Sequence, residues 1–257
     1  MTPKPQFPKI AINGPRVDAK NHIEPGTGTA FAIASVLAIL GTLVAIVATW
    51  GLFLVVPIVY LVIGGYLQKK ARALIHGSGV QVQPNQFPEI HECVEVFKER
   101  LDIREDIDVY IVEANVANAV VVKYGKRNVI LLTDDLIQGC LLSGDPRALS
   151  YVVGHELAHV ALDHGGMYRK VLTSRLKKLA RLDEFSADAV ALALVGEAGI
   201  ALKGMLLLTV GYSLLPYLNE QSILEQAAEV SANKYSRKAE RGLTHPLLLN
   251  RIHRLVK

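Results

Sequence analysis

The longest uncharged stretch of the chain limits its fold more than any other sequence feature. Residues 25–68 contain no Asp, Glu, Lys or Arg, and residues 27–67 are almost wholly apolar. As a single helix, the apolar residues would extend about 60 Å, twice the hydrocarbon thickness of about 30 Å. The stretch therefore predicts a hairpin of two transmembrane helices at residues 28–67, with its turn at residues 49–51 and Trp50 at the membrane interface.

A hairpin returns the chain to the side of the membrane from which it started. Basic residues flank this one at both ends, namely Lys4, Lys9, Arg16, Lys20, Lys69, Lys70 and Arg72. Because positive charge marks the cytoplasmic side, we expect an integral membrane protein, in a bacterial inner or plasma membrane, with a cytoplasmic main domain. The alternative is a buried hairpin in a soluble protein, which the unbroken absence of charge disfavours.

The rest of the chain divides where its composition changes. Residues 1–27 carry five prolines among scattered charges, which predicts a flexible polar tail. Residues 68–87 are predicted to form a linker, and residues 88–257 a mainly helical domain. Alternating patterns predict three strands at residues 107–112, 117–122 and 129–133, with a turn at residues 124–126. The fold class is therefore α+β, with a small sheet beside the helices.

Charge and cysteine content exclude some classes of function. The net charge is +4, and no patch of interleaved basic and aromatic residues indicates a nucleic-acid partner. The two cysteines, Cys93 and Cys140, give no disulfide framework and fit a reducing compartment. The sequence leaves the oligomeric state open.

The chemistry of the chain is indicated by H-E-x-x-H at residues 155–159. On a helix, His155 and His159 lie on one face and can present two imidazole nitrogens to one metal ion. Glu156 follows the first of them and is placed to act as general base in a zinc peptidase. Asp145 as N-cap and the Gly165-Gly166 pair as stop predict a helix over this segment.

A catalytic zinc normally has three protein ligands. The metzincin spacing is excluded, because Leu162 and Gly165 occupy its glycine and histidine positions. On a continuing helix His164 would point away from the metal, so we predict a structural role for it. Glu184 and Asp188 share the face of a later helix, where one can ligate the metal while the other orients a ligand.

A third motif lies near the C-terminus, at Thr244-His245-Pro246 and Arg251. His245 could donate a hydrogen bond to the oxyanion that forms when water attacks a peptide carbonyl. Arg251 could pair with a carboxylate of the site. An isolated histidine before proline is otherwise an ordinary turn residue.

Three ordered motifs give the chain a family resemblance. They are GHELAH at 154–159, R-x-x-E-F-x-A-D at 181–188 and T-H-P-x-x-x-x-R at 244–251. On these motifs, residues 85–257 resemble the HtpX-like membrane zinc endopeptidases, which are relatives of the CAAX prenyl protease. Only 24 residues separate His159 from Glu184, as in the compact branch of the family.

The resemblance implies a ligand set and supporting residues. It implies one zinc ion per chain, held by His155, His159 and Glu184, with Glu156 as base and with His245, Asp188 and Arg251 in support. Asn118 and Ala119 fall where the family carries an Asn-Ala pair on a strand edge that binds substrate, although they could equally be ordinary strand residues. An exposed edge of this kind can hold a peptide as an added strand.

Residues 198–218 are long and apolar enough to suggest another span. A single span there would put His245 and His155 on opposite sides of the membrane, so we predict a buried or membrane-facing helix instead. Lys203 and Pro216 favour this interpretation.

The expected function is that of a membrane-anchored zinc metalloendopeptidase acting on protein or peptide substrates, with the lipid bilayer as its other partner. Membrane protein quality control is one candidate role. Two alternatives stay open: a processing protease of narrow specificity, and a catalytically silent scaffold that binds zinc in the membrane.

Overall fold

A computed structural model describes residues 7–124 and 127–257. The described residues are mostly helical and include one small sheet, which confirms the α+β class. The helices are α1 Thr27–Ala48, α2 Val55–Ser78, α3 Pro88–Arg100, α4 Asp134–Leu142, α5 Ala148–Ala161, α6 Met167–Arg175, α7 Lys177–Val195, α8 Ala198–Val210, α9 Glu220–Ala232, α10 Lys234–Glu240 and α11 Leu248–Leu255. The strands are β1 Val80–Gln81, β2 Ile107–Val112, β3 Ala119–Tyr124 and β4 Arg127–Thr133.

The sheet has the strand order β1-β2-β4-β3. β2 pairs with β4 in parallel, while β1 and β3 run antiparallel to their neighbours. β2 covers the residues predicted for it, and β3 begins two residues later than predicted. Of the predicted turn at 124–126, residues 125 and 126 lie outside the described residues. Among the described residues β3 pairs only with β4, so its other edge is free.

Helix α5 lies at the centre of the domain, against α3, α7, α8 and the sheet. Its apolar side chains are buried all round, as in a helix enclosed by a core. Two glycines allow the close contacts. A Cβ at Gly154 would lie 3.2 Å from Leu194 of α7, and one at Gly204 of α8 would lie 2.8 Å from the Tyr151 ring. This packing fixes α5, and with it the histidine motif.

Residues 7–26 differ from the flexible tail that we predicted. Ile10 is only 1% exposed, and Val17 and Ala19 are also buried in the main core. The carbonyl of Ile10 accepts a hydrogen bond from the Ser150 hydroxyl of α5. Interspersed apolar residues, rather than the prolines, therefore decide the structure of this segment.

Arg100, at the end of α3, holds the N-terminal segment in place. Its guanidinium donates to the carbonyls of Ile12 and Pro15, both at 2.9 Å, and of Leu194 at 2.7 Å. These carbonyls satisfy a buried cation and in turn gain hydrogen bonds of the stronger, charge-assisted kind. The segment is thus tied to both α3 and α7.

Helix α1 is only partly covered by the domain. Ala30, Ala34 and Ala38 form a stripe of small residues that packs on α6 and α7. On its other faces α1 exposes large apolar side chains such as Val36, Leu40, Val44 and Val47. Such a surface is too apolar for a free helix face in water.

Of the described residues, α1 alone forms a helix long and apolar enough to cross a membrane. The second span and the hairpin therefore stay predictions. Helix α2 continues through Ser78, so residues 68–78, which we assigned to a linker, are helical, and β1 follows at Val80. Trp50, between α1 and α2, is 98% exposed.

Helix α8 is shorter than the apolar stretch that contains it. It ends at Val210, and Gly211 at φ 69° turns the chain away. Ile200, Ala201 and Met205 are buried in the main core. Among the two interpretations that we left open, the structure therefore favours a buried helix of the domain.

Candidate metal centre

Helix α5 presents His155 and His159 on one face, one turn apart, as the spacing predicts. Their Nε2 atoms lie 3.2 Å from each other. The N-cap of the helix is Arg147 and not Asp145 as predicted, although the Asp145 side chain accepts a hydrogen bond from the Arg147 amide in the turn before the helix. The helix ends earlier than predicted, at Ala161, and not at the glycine pair.

Helix α7 brings Glu184 to the same point. Its Oε2 lies 3.7 Å from Nε2 of His155, and its Oε1 lies 3.6 Å from Nε2 of His159. The three side chains offer ligand atoms that all lie within 4.8 Å of one another. Asp188, one turn further along α7, points behind this group and not into it.

The geometry of this group fits zinc. Ligand atoms about 2.0–2.1 Å from a tetrahedral zinc are about 3.3–3.4 Å apart, close to the distances between the two imidazoles and the carboxylate. Two imidazoles and one carboxylate form a ligand set that catalytic zinc uses, with one position left for water or substrate. Of the two carboxylates that the spacing left open, Glu184 is the one that lies beside the two imidazoles.

His155 is backed by a carboxylate. Its Nδ1 lies 2.9 Å from Oδ1 of Asp188. Asp188 also accepts a hydrogen bond from the Tyr151 hydroxyl at 2.8 Å and two from Arg251 at 2.7 and 2.8 Å. Burial alone would raise the pKa of Asp188, but Arg251 overcomes it and lowers this pKa to about 2. A carboxylate that holds the outer nitrogen of a ligand in this way fixes the orientation of the ring.

His159 is backed by His164, contrary to our expectation that His164 points away. The Nδ1 atoms of the two rings are 2.8 Å apart. The prediction assumed that the helix continues to residue 164. Instead the chain turns after Ala161, with Asp163 at a positive φ of 49°, and this turn brings His164 back over the helix end.

Glu156 is buried and faces the sheet. Its Oε2 accepts a hydrogen bond of 2.7 Å from the backbone amide of Val121 on the free edge of β3. In an antiparallel pair alternate residues turn their backbone groups away from the partner strand, and Val121 is one of these. Burial raises the pKa of Glu156 above its ordinary value, which suits a group that must accept a proton near neutral pH.

The C-terminal motif lies at the rim of the group. Nδ1 of His245 is 3.3 Å from Oε2 of Glu184, and the side chain is 70% exposed. Nη1 of Arg251 lies 3.8 Å from the same oxygen. Burial would raise the pKa of Glu184, but the hydrogen bond with His245 and the neighbouring charges hold it well below its usual range. Glu184 is therefore ionised, as a ligand must be.

These side chains line a cleft of about 430 Å³ between β3 and α8. Asn118 and Ala119 are at its edge. The Asn118 carbonyl accepts from the Thr133 amide at 3.0 Å, and its side-chain oxygen accepts from the Ala119 amide at 2.9 Å. Asn118 therefore fixes the start of the free strand edge.

Every residue that we predicted for the site on the basis of sequence lies at this cleft or directly behind it. Residues 84–170 match the model of peptidase family M48. The match covers about a third of the chain and includes His155, Glu156 and His159. This similarity supports a metallopeptidase. No curated protein and no solved structure gives a significant match.

Glu184, Asp188, His245 and Arg251 follow the matched residues, so their place in the site rests on the geometry described above and on the sequence motifs. The narrower likeness to HtpX-like peptidases also rests on these motifs alone.

Sequence reasoning missed three contributions to the site. The Val121 amide carries no side-chain signal at all. Met205 and Leu208 of α8 line the cleft opposite β3, within a segment that we interpreted only as buried or membrane-facing. His164 lies in a Leu-Asp-His-Gly-Gly run, where the tolerance of Asp for positive φ offered a signal of an early turn.

Proposed function

We propose that the protein is a membrane-anchored, zinc-dependent metalloendopeptidase of peptidase family M48 that hydrolyses peptide bonds of protein substrates, with membrane protein quality control as its role. One observation carries the proposal. Three ligand atoms suited to zinc, a buried carboxylate beside the first ligand and a free strand edge meet in a single cleft.

The residues divide the chemistry among them. Zinc, when held by His155, His159 and Glu184, supplies polarisation of the attacking water and of the scissile carbonyl. Glu156 takes the proton from that water and delivers it to the leaving amine. His245, at the exposed rim, donates to the oxyanion that develops on the carbonyl oxygen.

The substrate is held as an extended strand along β3. The outward backbone carbonyls of Ala119 and Val121 can accept hydrogen bonds from a peptide backbone of any sequence, while their amides donate to the Asn118 side chain and to Glu156. Met205 and Leu208 form the facing apolar wall. Recognition through the backbone suits a protease that accepts many unfolded substrates.

Cleavage of casein by the detergent-purified full chain with zinc tests the proposal, beside Glu156→Gln prepared identically. We expect Glu156→Gln to keep zinc and to lose about 10²–10⁴-fold in turnover, because the ligands stay while the base is lost. Equal activity in both preparations would point to a contaminant and overturn the assignment of the base. Absence of cleavage in both would favour a dedicated processing enzyme or a silent scaffold.

Zinc content tests the third ligand separately from activity. Glu184→Gln replaces an ionised ligand by a neutral amide and should lower zinc affinity. Zinc binding as tight as in the wild type would exclude Glu184 as a ligand.

Membrane anchoring is supported by the exposed apolar surface of α1 and by the contacts of residues 7–26. That segment precedes α1, yet it packs on α3 and α7, which follow α2. Residues 7–26 and the domain that contains α3 and α7 therefore lie on the same side of any membrane that α1 crosses. A chain that crosses in α1 must cross back before α3, which supports a hairpin of α1 and α2.

Trp50 is the only tryptophan of the chain and lies between α1 and α2, so its fluorescence reports directly on anchoring. In vesicles, we expect a blue-shifted emission that lipids brominated near the headgroups quench more than lipids brominated at mid-chain, because a spanning hairpin puts its turn at the far interface. Strongest quenching at mid-chain would indicate a hairpin that enters only one leaflet. Unchanged emission with full quenching by aqueous acrylamide would contradict anchoring.

The basic residues on both flanks of the hairpin support a bacterial inner or plasma membrane location with the catalytic domain in the cytoplasm. In sealed inverted membrane vesicles, added protease should digest the catalytic domain. Protection there and digestion in intact spheroplasts would reverse the orientation.

A further inference from the structure

We propose that His164 is a positioning residue, which holds His159 in the tautomer and ring orientation that a metal ligand needs, and that Asp183 and Arg169 hold His164 in turn. This inference rests on the metal site of the proposed function. Zinc affinity tests it without requiring any peptidase activity.

The tautomers follow from the contacts. Nε2 of His159 faces His155 and Glu184, so it must keep its lone pair for the metal. The hydrogen of the neutral ring is then on Nδ1, which lies 2.8 Å from Nδ1 of His164. His164 must accept there, and its own hydrogen is therefore on Nε2.

Asp183 completes the arrangement on the far side of His164. Its Oδ1 lies 3.5 Å from Nε2 of His164, the nitrogen that carries the hydrogen. Arg169 of α6 forms a bidentate pair with the same carboxylate, in which Nε donates to Oδ2 at 3.0 Å and Nη2 donates to Oδ1. With Nε2 of His159 reserved for the metal, each hydrogen in the series then faces one acceptor.

Two variants separate positioning from simple packing. His164→Phe keeps a ring of similar size but has no acceptor, which leaves the Nδ1 hydrogen of His159 unsatisfied. His164→Asn places an amide oxygen near the former Nδ1 and keeps the acceptor. Asp163→Asn is the control, because Asp163 is adjacent but pairs with Lys123 on the surface and Asn tolerates its positive φ.

The measurement is the zinc dissociation constant of the detergent-purified full chain in competition with a chelator. We expect His164→Phe to weaken zinc binding by about 10–100-fold, as other outer partners of metal-ligating histidines do, with His164→Asn much closer to the wild type and Asp163→Asn unchanged. The absorption bands of the Co²⁺-loaded protein should shift in His164→Phe, because a rotated His159 ring changes the ligand field.

Wild-type affinity in His164→Phe would overturn the inference, and so would equal loss in the Phe and Asn variants. If the Phe variant does not fold, His164→Ala, which leaves space and no strain, takes its place in the same comparison. A wild type that binds zinc but cleaves no protein would contradict the proposed peptidase and leave this inference standing.

Discussion

His155 and His159 leave the same helix one turn apart, but different groups stand behind them. Behind His155 is Asp188, a carboxylate that accepts three hydrogen bonds from Tyr151 and Arg251 and has a pKa lowered to about 2. Behind His159 is His164, a neutral ring, with Asp183 one step further away. Burial raises the pKa of Asp183 despite the pair with Arg169. Ionised Asp188, behind His155, therefore contributes to stability at neutral pH. Asp183, behind His164, is a carboxylate whose ionised form is disfavoured by burial.

The largest effect should come from Asp188→Asn. It leaves the Arg251 charge buried without its anion, which costs about 3 kcal/mol of unfolding free energy, and it also frees the His155 ring. Thermal and urea unfolding of the detergent-solubilised chain check the stability. The exposed Asp106→Asn is the control. If the unfolding midpoint of Asp188→Asn were unchanged, Asp188 would contribute no more to stability than Asp183.

The same variant also tests how the stabilisation by Asp188 depends on pH. The difference between its ordinary pKa and its pKa in the folded protein corresponds to about 2 kcal/mol of unfolding free energy. The folded pKa of about 2 is below the ordinary 3.8, so ionised Asp188 stabilises the fold above pH 3.8 and this contribution is lost as the pH falls towards 2. Wild type and Asp188→Asn should therefore converge in stability over that range. A constant difference down to pH 2 would mean that the carboxylate is not the source of the stabilisation.

Asp183→Asn makes the identical chemical change behind His164 and also leaves an arginine, Arg169, without its anion. It should cost less, about 1–2 kcal/mol, since burial outweighs the pairing of Asp183 in the folded state. The pH dependence should also have the opposite sign. Because the folded pKa is raised, the wild type should gain stability relative to this variant as the pH falls through that pKa. A loss equal to that of Asp188→Asn in the same unfolding assay would show that the two sides are equivalent.

The smallest effect should come from Phe31→Leu in α1. The Arg169 guanidinium lies 5.2 Å from the centre of the Phe31 ring, and the Tyr168 ring lies 5.8 Å away edge to face. Loss of both contacts should lower stability by about 0.5–1 kcal/mol, with little change in zinc affinity. If Phe31→Leu lowered zinc affinity as much as His164→Phe does, the contacts of α1 would be needed for zinc binding. The exposed Ile33→Leu serves as control.

The difference between the two sides also explains what the sequence could predict. Asp188 follows Glu184 by one helical turn, so its closeness to the metal ligands depends only on a helix that its composition already predicts. His164 depends on where α5 ends, and helix ends are the least predictable part of an element. A turn four residues earlier than expected moved this ring from the far side of the helix to the ligand.

The fold shows the same division. β2 agrees with its predicted residues to the position, because alternation of apolar and polar residues is a local signal. The docking of residues 7–26 has only a weak local signal, in the few apolar residues between the prolines. It also depends on the carbonyl groups of Ile12 and Pro15, which accept hydrogen bonds from Arg100 of a distant helix. Side-chain patterns carry no information about backbone acceptors of this kind.

The position of the N-terminal segment has a consequence for biosynthesis. Residues 7–26 are synthesised before the groups that hold them, on α3, α5 and α7, which follow more than 70 residues later. In the membrane-anchored protein that we propose, α1 therefore reaches the bilayer while the segment before it is still unpaired, and the core around that segment closes only after α7 has been synthesised. Residues 7–26, although made early, thus become part of a late assembly step.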